Sequence, residues 1–150
     1  MEYLRTDLIS ATTTLVKTLS GSNVNVTTAV ALSPPGGTLR VLQLKYQGTA
    51  CDGGDAMIPA LQTSYDGGTT YYDLVSTASM AGGVVASVTE RVLSSTPPAA
   101  ARKAASDGAI AASTVLGVEL GTHVRIKAVV TDADDNATWS LTQAFLIRYL

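Results

Sequence analysis

Apolar and polar residues alternate along much of the chain with a period of two. In the run 122–131, apolar residues including Ile126 occupy every second position, and Arg125 and Lys127 lie between them. This period is typical of a β-strand that buries one face and leaves the other in water or against a partner. The run therefore predicts a strand with Ile126 in the core and the two basic side chains on the opposite face.

The run 137–149 has the same period and contains the only Trp and the only Phe of the chain. Its large apolar residues alternate with Ser, Thr and Arg, so we expect Trp139, Leu141 and Phe145 to share one buried face. A strand that carries both rings is expected to be central to the core.

Clusters of Gly, Pro, Asn and Asp divide the rest of the chain into runs of strand length. The runs between them are 11–19, 24–32, 39–46, 57–65, 69–75, 84–93, 122–131 and 137–149. Short β-type runs at this spacing predict an all-β fold, an antiparallel β-sandwich or jelly roll with at least seven strands. We expect residues 11–150 to form this single domain.

Two stretches lack the alternation. Residues 1–10 are interpreted as an N-terminal arm. In 96–113, Pro97 and Pro98 precede an Ala-rich segment, which is compatible with a short helical turn or with an extended loop between the two halves of the sandwich. Because neither stretch is explained by an isolated sandwich, we expect both to contact a partner.

The low charge of the chain argues against some classes of partner. Only 15% of the residues are charged, against about 25% in average globular proteins, and the net charge is −2. Phosphate binding needs a basic stripe, so we expect no nucleic-acid partner. No apolar run approaches the roughly 18 residues of a membrane span, and residues 1–7 lack the features of a signal peptide. We therefore expect synthesis in a cytoplasm and no membrane partner.

Residues suited to catalysis or metal binding are few. The chain has one histidine, His123, and one cysteine, Cys51. A nucleophile needs a base beside it, and a zinc site needs about four ligands, so neither residue indicates a site. The Asp-containing segment 51–55 is interpreted as a loop. We predict no catalytic residues, no metal site and no cofactor, and hence no enzyme.

One acidic turn has part of a calcium-loop pattern. Asp132, Asp134 and Asn136 have the alternate spacing that begins an EF-hand loop. However, Ala137 stands where that loop needs glycine, Gln143 stands where it needs glutamate, and the flanking runs are β-type. We interpret the turn as a solvated hairpin loop without a metal ion.

Three tyrosines, Tyr65, Tyr71 and Tyr72, cluster around one predicted hairpin. Aromatic rings on a sandwich can stack against sugars, which would make the chain a carbohydrate-binding or adhesion module. Cross-strand tyrosine pairs also stabilise hairpins without any ligand. Both interpretations remain open.

The hairpin at 61–74, LQTSYDGGTTYYDL, resembles a segment of small β-sandwich or jelly-roll proteins from tailed-bacteriophage virions. The segments 120–127, LGTHVRIK, and 137–141, ATWSL, are similar to the last two strands of those proteins. The first 50 residues and the Ala-rich stretch lie outside the resemblance. Within the hairpin, Asp-Gly supplies the positive φ angles that tight β-turns require.

The resemblance implies a virion structural protein, foremost a capsid decoration (cement) protein. Such a protein is made in the host cytoplasm and binds the outer surface of the assembled shell. Its implied partners are the major capsid protein and further copies of itself, with a homotrimer favoured. A head–tail connector or tail structural protein is the second version of the same class.

Overall fold

The structure is a computed structural model that describes residues 2–11, 13–15, 21–49, 51, 54–81, 87–93, 111–132 and 138–150. The described residues contain strands and no helix, which confirms the predicted all-β class. The strands are β1 Tyr3–Asp7, β2 Thr13–Leu15, β3 Gly21–Asn25, β4 Val30–Ala31, β5 Thr38–Thr49, β6 Ala56–Ser64, β7 Tyr72–Ser76, β8 Met80–Ala81, β9 Ser87–Leu93, β10 His123–Thr131 and β11 Thr138–Tyr149.

The strands form two antiparallel sheets. Sheet 1 has the order β1-β11-β5-β9, and β2 pairs with β11 beyond the end of β1. Sheet 2 has the order β3-β10-β6-β7, with β4 on β10 and β8 on β6. The late strands β10 and β11 are therefore central in different sheets, and the predicted sandwich is confirmed.

The core lies between the sheets. Alternate residues of β5, β6, β10 and β11 face inward, and Leu42, Leu61, Ile126 and Leu146 are fully buried there. Burying one such side chain contributes about 1.5–3 kcal/mol to folding. The expected burial of Ile126 and of the Trp139 ring is confirmed.

A β-bulge in β11 changes which residues face the core. The pairing with β5 shifts between Leu141 and Gln143, so one residue is inserted there. An inserted residue exchanges the two faces of the strand that follows it. Leu141 precedes the bulge and faces inward, whereas Ala144 and Leu146 face inward after it. Phe145 is buried as predicted, but it lies on the outer face of sheet 1.

Of the two stretches without alternation, the structure describes nearly all of 1–10 but only the end of 96–113. Residues 3–7 of the segment 1–10 form β1, which is paired with β11 along its whole length. Residues 94–110 lie outside the described residues. They include most of the segment 96–113, for which the sequence is compatible with a helical turn or a loop. Residues 112–113 form a turn, and Ser113 has a φ of 55°.

Candidate functional site

The turn between β6 and β7 is built around one carboxylate. Asp66 Oδ1 accepts hydrogen bonds from the backbone N–H groups of Thr70 at 2.8 Å and Thr69 at 3.1 Å, and from the Ser64 hydroxyl at 2.7 Å. Gly67 and Gly68 have φ angles of 77° and 92°, which side chains of L-residues rarely tolerate. The Thr70 N–H and the Ser64 hydroxyl, which favour the ionised carboxylate, hold the pKa of Asp66 well below its usual range.

The three tyrosines of this hairpin do not form one platform. Tyr71 is buried, and the Arg125 guanidinium lies over its ring at 3.8 Å from the centroid. Tyr65 is 47% exposed and meets Tyr72 edge-to-face at an interplanar angle of 60°. The Tyr65 hydroxyl donates a hydrogen bond to the Glu119 carbonyl at 2.9 Å. The partial burial of Tyr65, and to a smaller extent the negative charge of Glu119, raise the pKa of this tyrosine. Only the Tyr65–Tyr72 pair is placed to meet a ligand.

A chain of polar side chains crosses the outer face of sheet 2. Arg125 Nε donates to Gln62 Oε1 at 2.7 Å, and Gln62 Nε2 donates to Asp73 Oδ1 at 2.9 Å. Lys127 Nζ lies 3.1 Å from the same Asp73 oxygen, and the side chains of both residues are buried. We call these four residues the buried polar chain. It ties together β10, β6 and β7 through two hydrogen bonds and one ion pair.

Sequence reasoning missed the buried polar chain. The alternation correctly placed Arg125 and Lys127 opposite the core, on a face expected to be wet or in contact with a partner. Lys127 is instead fully buried. The available signal was the pairing of Gln62 and Asp73 within the hairpin at 61–74, because a buried ammonium group requires such partners.

The residues considered for chemistry lie apart from one another. His123 begins β10, and its Nδ1 is 3.1 Å from the Thr122 hydroxyl. Cys51 and Asp55 are buried. Asp132 ends the described part of its turn, while Asp134 and Asn136 lie outside the described residues. Among the described residues, no three His, Cys, Asp or Glu side chains are grouped closely enough to hold a metal ion.

The outer face of sheet 1 carries aromatic rings covered by arginines. The Arg5 guanidinium lies over Phe145 at 4.1 Å, and that of Arg40 lies over Tyr149 at 4.5 Å. Tyr3 meets Tyr149 edge-to-face, with 6.0 Å between the ring centroids. Tyr3 is 60% exposed, so this face offers apolar contact area with cations beside it. Such a surface suits protein contact, because aromatic residues and arginine are the types enriched in interfaces.

A second exposed apolar group follows the edge of sheet 2. Residues 114–116 run beside β7, where Leu116 N–H donates to the Leu74 carbonyl at 2.7 Å. The side chains of Val115 and Leu116 are both 42% exposed.

No helix in the described residues is long and apolar enough to cross a membrane.

The described residues form a β-sandwich with exposed aromatic and apolar side chains on both sheets. The chain matches no protein-family profile and no curated protein. Its fold is similar to that of chains from infectious bursal disease virus, a likeness that covers 97% of this chain in each case. For the Gx strain the TM-score is 0.53 at 7% identity, and for the Gt strain it is 0.49 at 8%. For the VP2 subviral particle of this virus it is 0.43 at 8% identity.

The likeness to the Gx-strain chain, at 7% identity, shows a similar fold. This chain spans 31% of the length of that chain, and 32% of the length of the other two. The similarity of fold therefore concerns about a third of the Gx-strain chain.

Proposed function

We propose that this chain is a virion structural protein. The observation that carries the proposal is the fold, which resembles a chain of the Gx-strain virus structure over 97% of its own length. The hairpin at 61–74 and the segments 120–127 and 137–141, which resemble tailed-phage virion proteins, point to the same class independently. A structural role needs no catalytic residue or cofactor, and we propose none.

Within this class we propose a capsid decoration protein. It would bind the major capsid protein on the outside of the assembled shell and associate with further copies of itself. A protein that binds only the assembled lattice stabilises that lattice by mass action. The exposed Tyr3 ring on sheet 1 and the exposed Val115 and Leu116 supply apolar contact area for such binding. A connector or tail protein would share the fold and is the second proposal of this class.

A carbohydrate-binding module is the candidate from another class. Tyr65 is half exposed and Tyr72 is half buried, and their rings meet at an angle of 60°. One sugar could stack against the Tyr65 ring, but the two rings do not lie in one plane. This geometry supports sugar binding less than it supports protein contact.

The decoration proposal can be tested with shells assembled from the major capsid protein encoded in the same genome. We expect the purified chain to co-sediment with the shells in a saturable manner and to raise the temperature at which they break down. Unassembled capsid subunits serve as the control, and we expect no binding to them. The chain is a sugar-binding module if it does not bind the shells, if a glycan array retains it, and if Tyr65→Ala abolishes that retention.

A further inference from the structure

In the part of the chain that the structure describes, one edge of strand β1 has no partner strand. Leu8 N–H donates to the Ala144 carbonyl, and Leu150 N–H donates to the Glu2 carbonyl. Hydrogen-bonded pairs recur at every second residue of an antiparallel ladder, so the even-numbered residues of β1 turn their backbone groups toward β11. The backbone groups of Tyr3, Arg5 and Asp7 therefore point away from β11. No backbone group of the described chain bonds to them.

This edge has few of the features that usually prevent strand pairing. Proteins protect exposed edges with proline, lysine, bulges or a covering segment. The sequence of β1, YLRTD, contains neither proline nor lysine, and its pairing with β11 runs without a bulge. Its charged residues are Arg5 and Asp7, which form an exposed ion pair on one face at 2.8 Å. A pair of opposite charges two residues apart is complementary to itself when the strand is reversed.

We propose that β1 pairs in antiparallel fashion with β1 of a second copy of this chain, with Arg5 opposite Asp7 of that copy. Thr6 then lies on the two-fold axis. Both Arg5 and Asp7 turn their N–H and C=O groups to the free edge, so this register forms two hydrogen-bonded residue pairs and two ion pairs. Centring the axis on Arg5 would place two arginines directly opposite each other, which is unfavourable.

The contact joins sheet 1 of one copy to sheet 1 of the second copy, edge to edge, as one continuous sheet. Because a two-fold contact doubles whatever unit it joins, it predicts an even number of copies in solution. A trimer formed elsewhere on the surface would become a hexamer through this contact. The inference does not depend on capsid binding, so it can fail or succeed separately from the proposed function.

The test is the mass of the full chain in solution, measured by light scattering during size-exclusion chromatography. We expect an even multiple of the 15.4 kDa chain mass. Arg5→Asp places like charges opposite each other and should halve the mass. The double variant Arg5→Asp/Asp7→Arg restores opposite charges and should restore the mass. Lys45→Asp makes the same charge change at an exposed position of β5, away from the edge, and should leave the mass unchanged.

A second variant tests the backbone contacts. Arg5→Pro removes an N–H group that points to the free edge, and proline is tolerated on an edge strand in that orientation. The folded monomer should therefore persist, as judged by its circular dichroism spectrum, while the mass falls by half. An odd number of copies, or a mass that Arg5→Asp and Arg5→Pro both leave unchanged, would overturn the inference.

Discussion

Lys127 Nζ lies 3.1 Å from Asp73 Oδ1 on the outer face of sheet 2, and both side chains are almost completely shielded from water. Lys127 reaches Asp73 across β6, where Ala60 stands opposite Lys127 in the ladder. The small Ala60 side chain leaves room for the long lysine stem. A charge that has lost its water in this way depends on its partner, so this pair should be a sensitive point of the fold.

We expect Asp73→Ala to lower the free energy of unfolding by about 3–5 kcal/mol, because it removes the carboxylate that lies 3.1 Å from the fully buried Lys127 ammonium group. As a control, Glu119→Ala removes an exposed carboxylate from the same sandwich and should change the free energy of unfolding by less than about 0.5 kcal/mol. Urea unfolding at neutral pH measures both. The double variant Asp73→Leu/Lys127→Met should lose less stability than Asp73→Ala, since it removes both members of the ion pair; equal losses would argue against a charge effect.

The Asp66 turn should make stability depend on pH in the acid range. Its folded-state pKa lies below the unfolded value near 4, so its contribution is complete above that value and is lost as the pH falls further. We expect Asp66→Asn to melt at a lower temperature than the original chain at pH 7. The difference should shrink between pH 4 and pH 2. A difference that stays constant over this range would contradict the role of the ionised carboxylate.

Gly121 allows two backbone segments to approach closely. A Cβ atom at this position would collide with the Ser64 carbonyl of the neighbouring strand. We expect Gly121→Ala to cost about 3 kcal/mol, as overpacking against backbone does. At Gly67 nothing lies within 4 Å of a Cβ atom, and only the φ of 77° opposes alanine, so Gly67→Ala should cost about 1–2 kcal/mol. Thermal unfolding of the two variants should therefore separate steric collision from backbone strain.

The bulge in β11 can be tested by placing a charge on each face. Leu146 faces the core, so Leu146→Lys should prevent folding. Phe145 lies on the outer face, where a lysine can extend toward water beside Arg5. Phe145→Lys should therefore give a folded protein that is less stable by about 1–3 kcal/mol. Circular dichroism and urea unfolding give the result, and the reverse order would place Phe145 in the core.

The Asp66 turn and the strand succession could be predicted from the sequence because their causes are local. Alternation identifies a strand by itself, and Asp66, Gly67 and Gly68 have the carboxylate and the φ angles that their own turn requires. Each of the eight predicted runs from 11–19 to 137–149 overlaps a strand, in the same order along the chain, although the run 24–32 overlaps both β3 and β4 and no run predicts β8. Residues 12, 16–19, 84–86 and 137 of these runs lie outside the described residues.

Only the tertiary structure decided what lies on the outer faces of the sheets. The face of Phe145 depends on one residue inserted relative to β5, and a bulge is a property of two strands together. The burial of Lys127 depends on Asp73 of β7, which lies across β6 from it and is held there by Gln62. The sequence determined which positions alternate, because alternation is set by the geometry of one strand. It could not determine what covers each face, because that depends on contacts between residues distant in the chain.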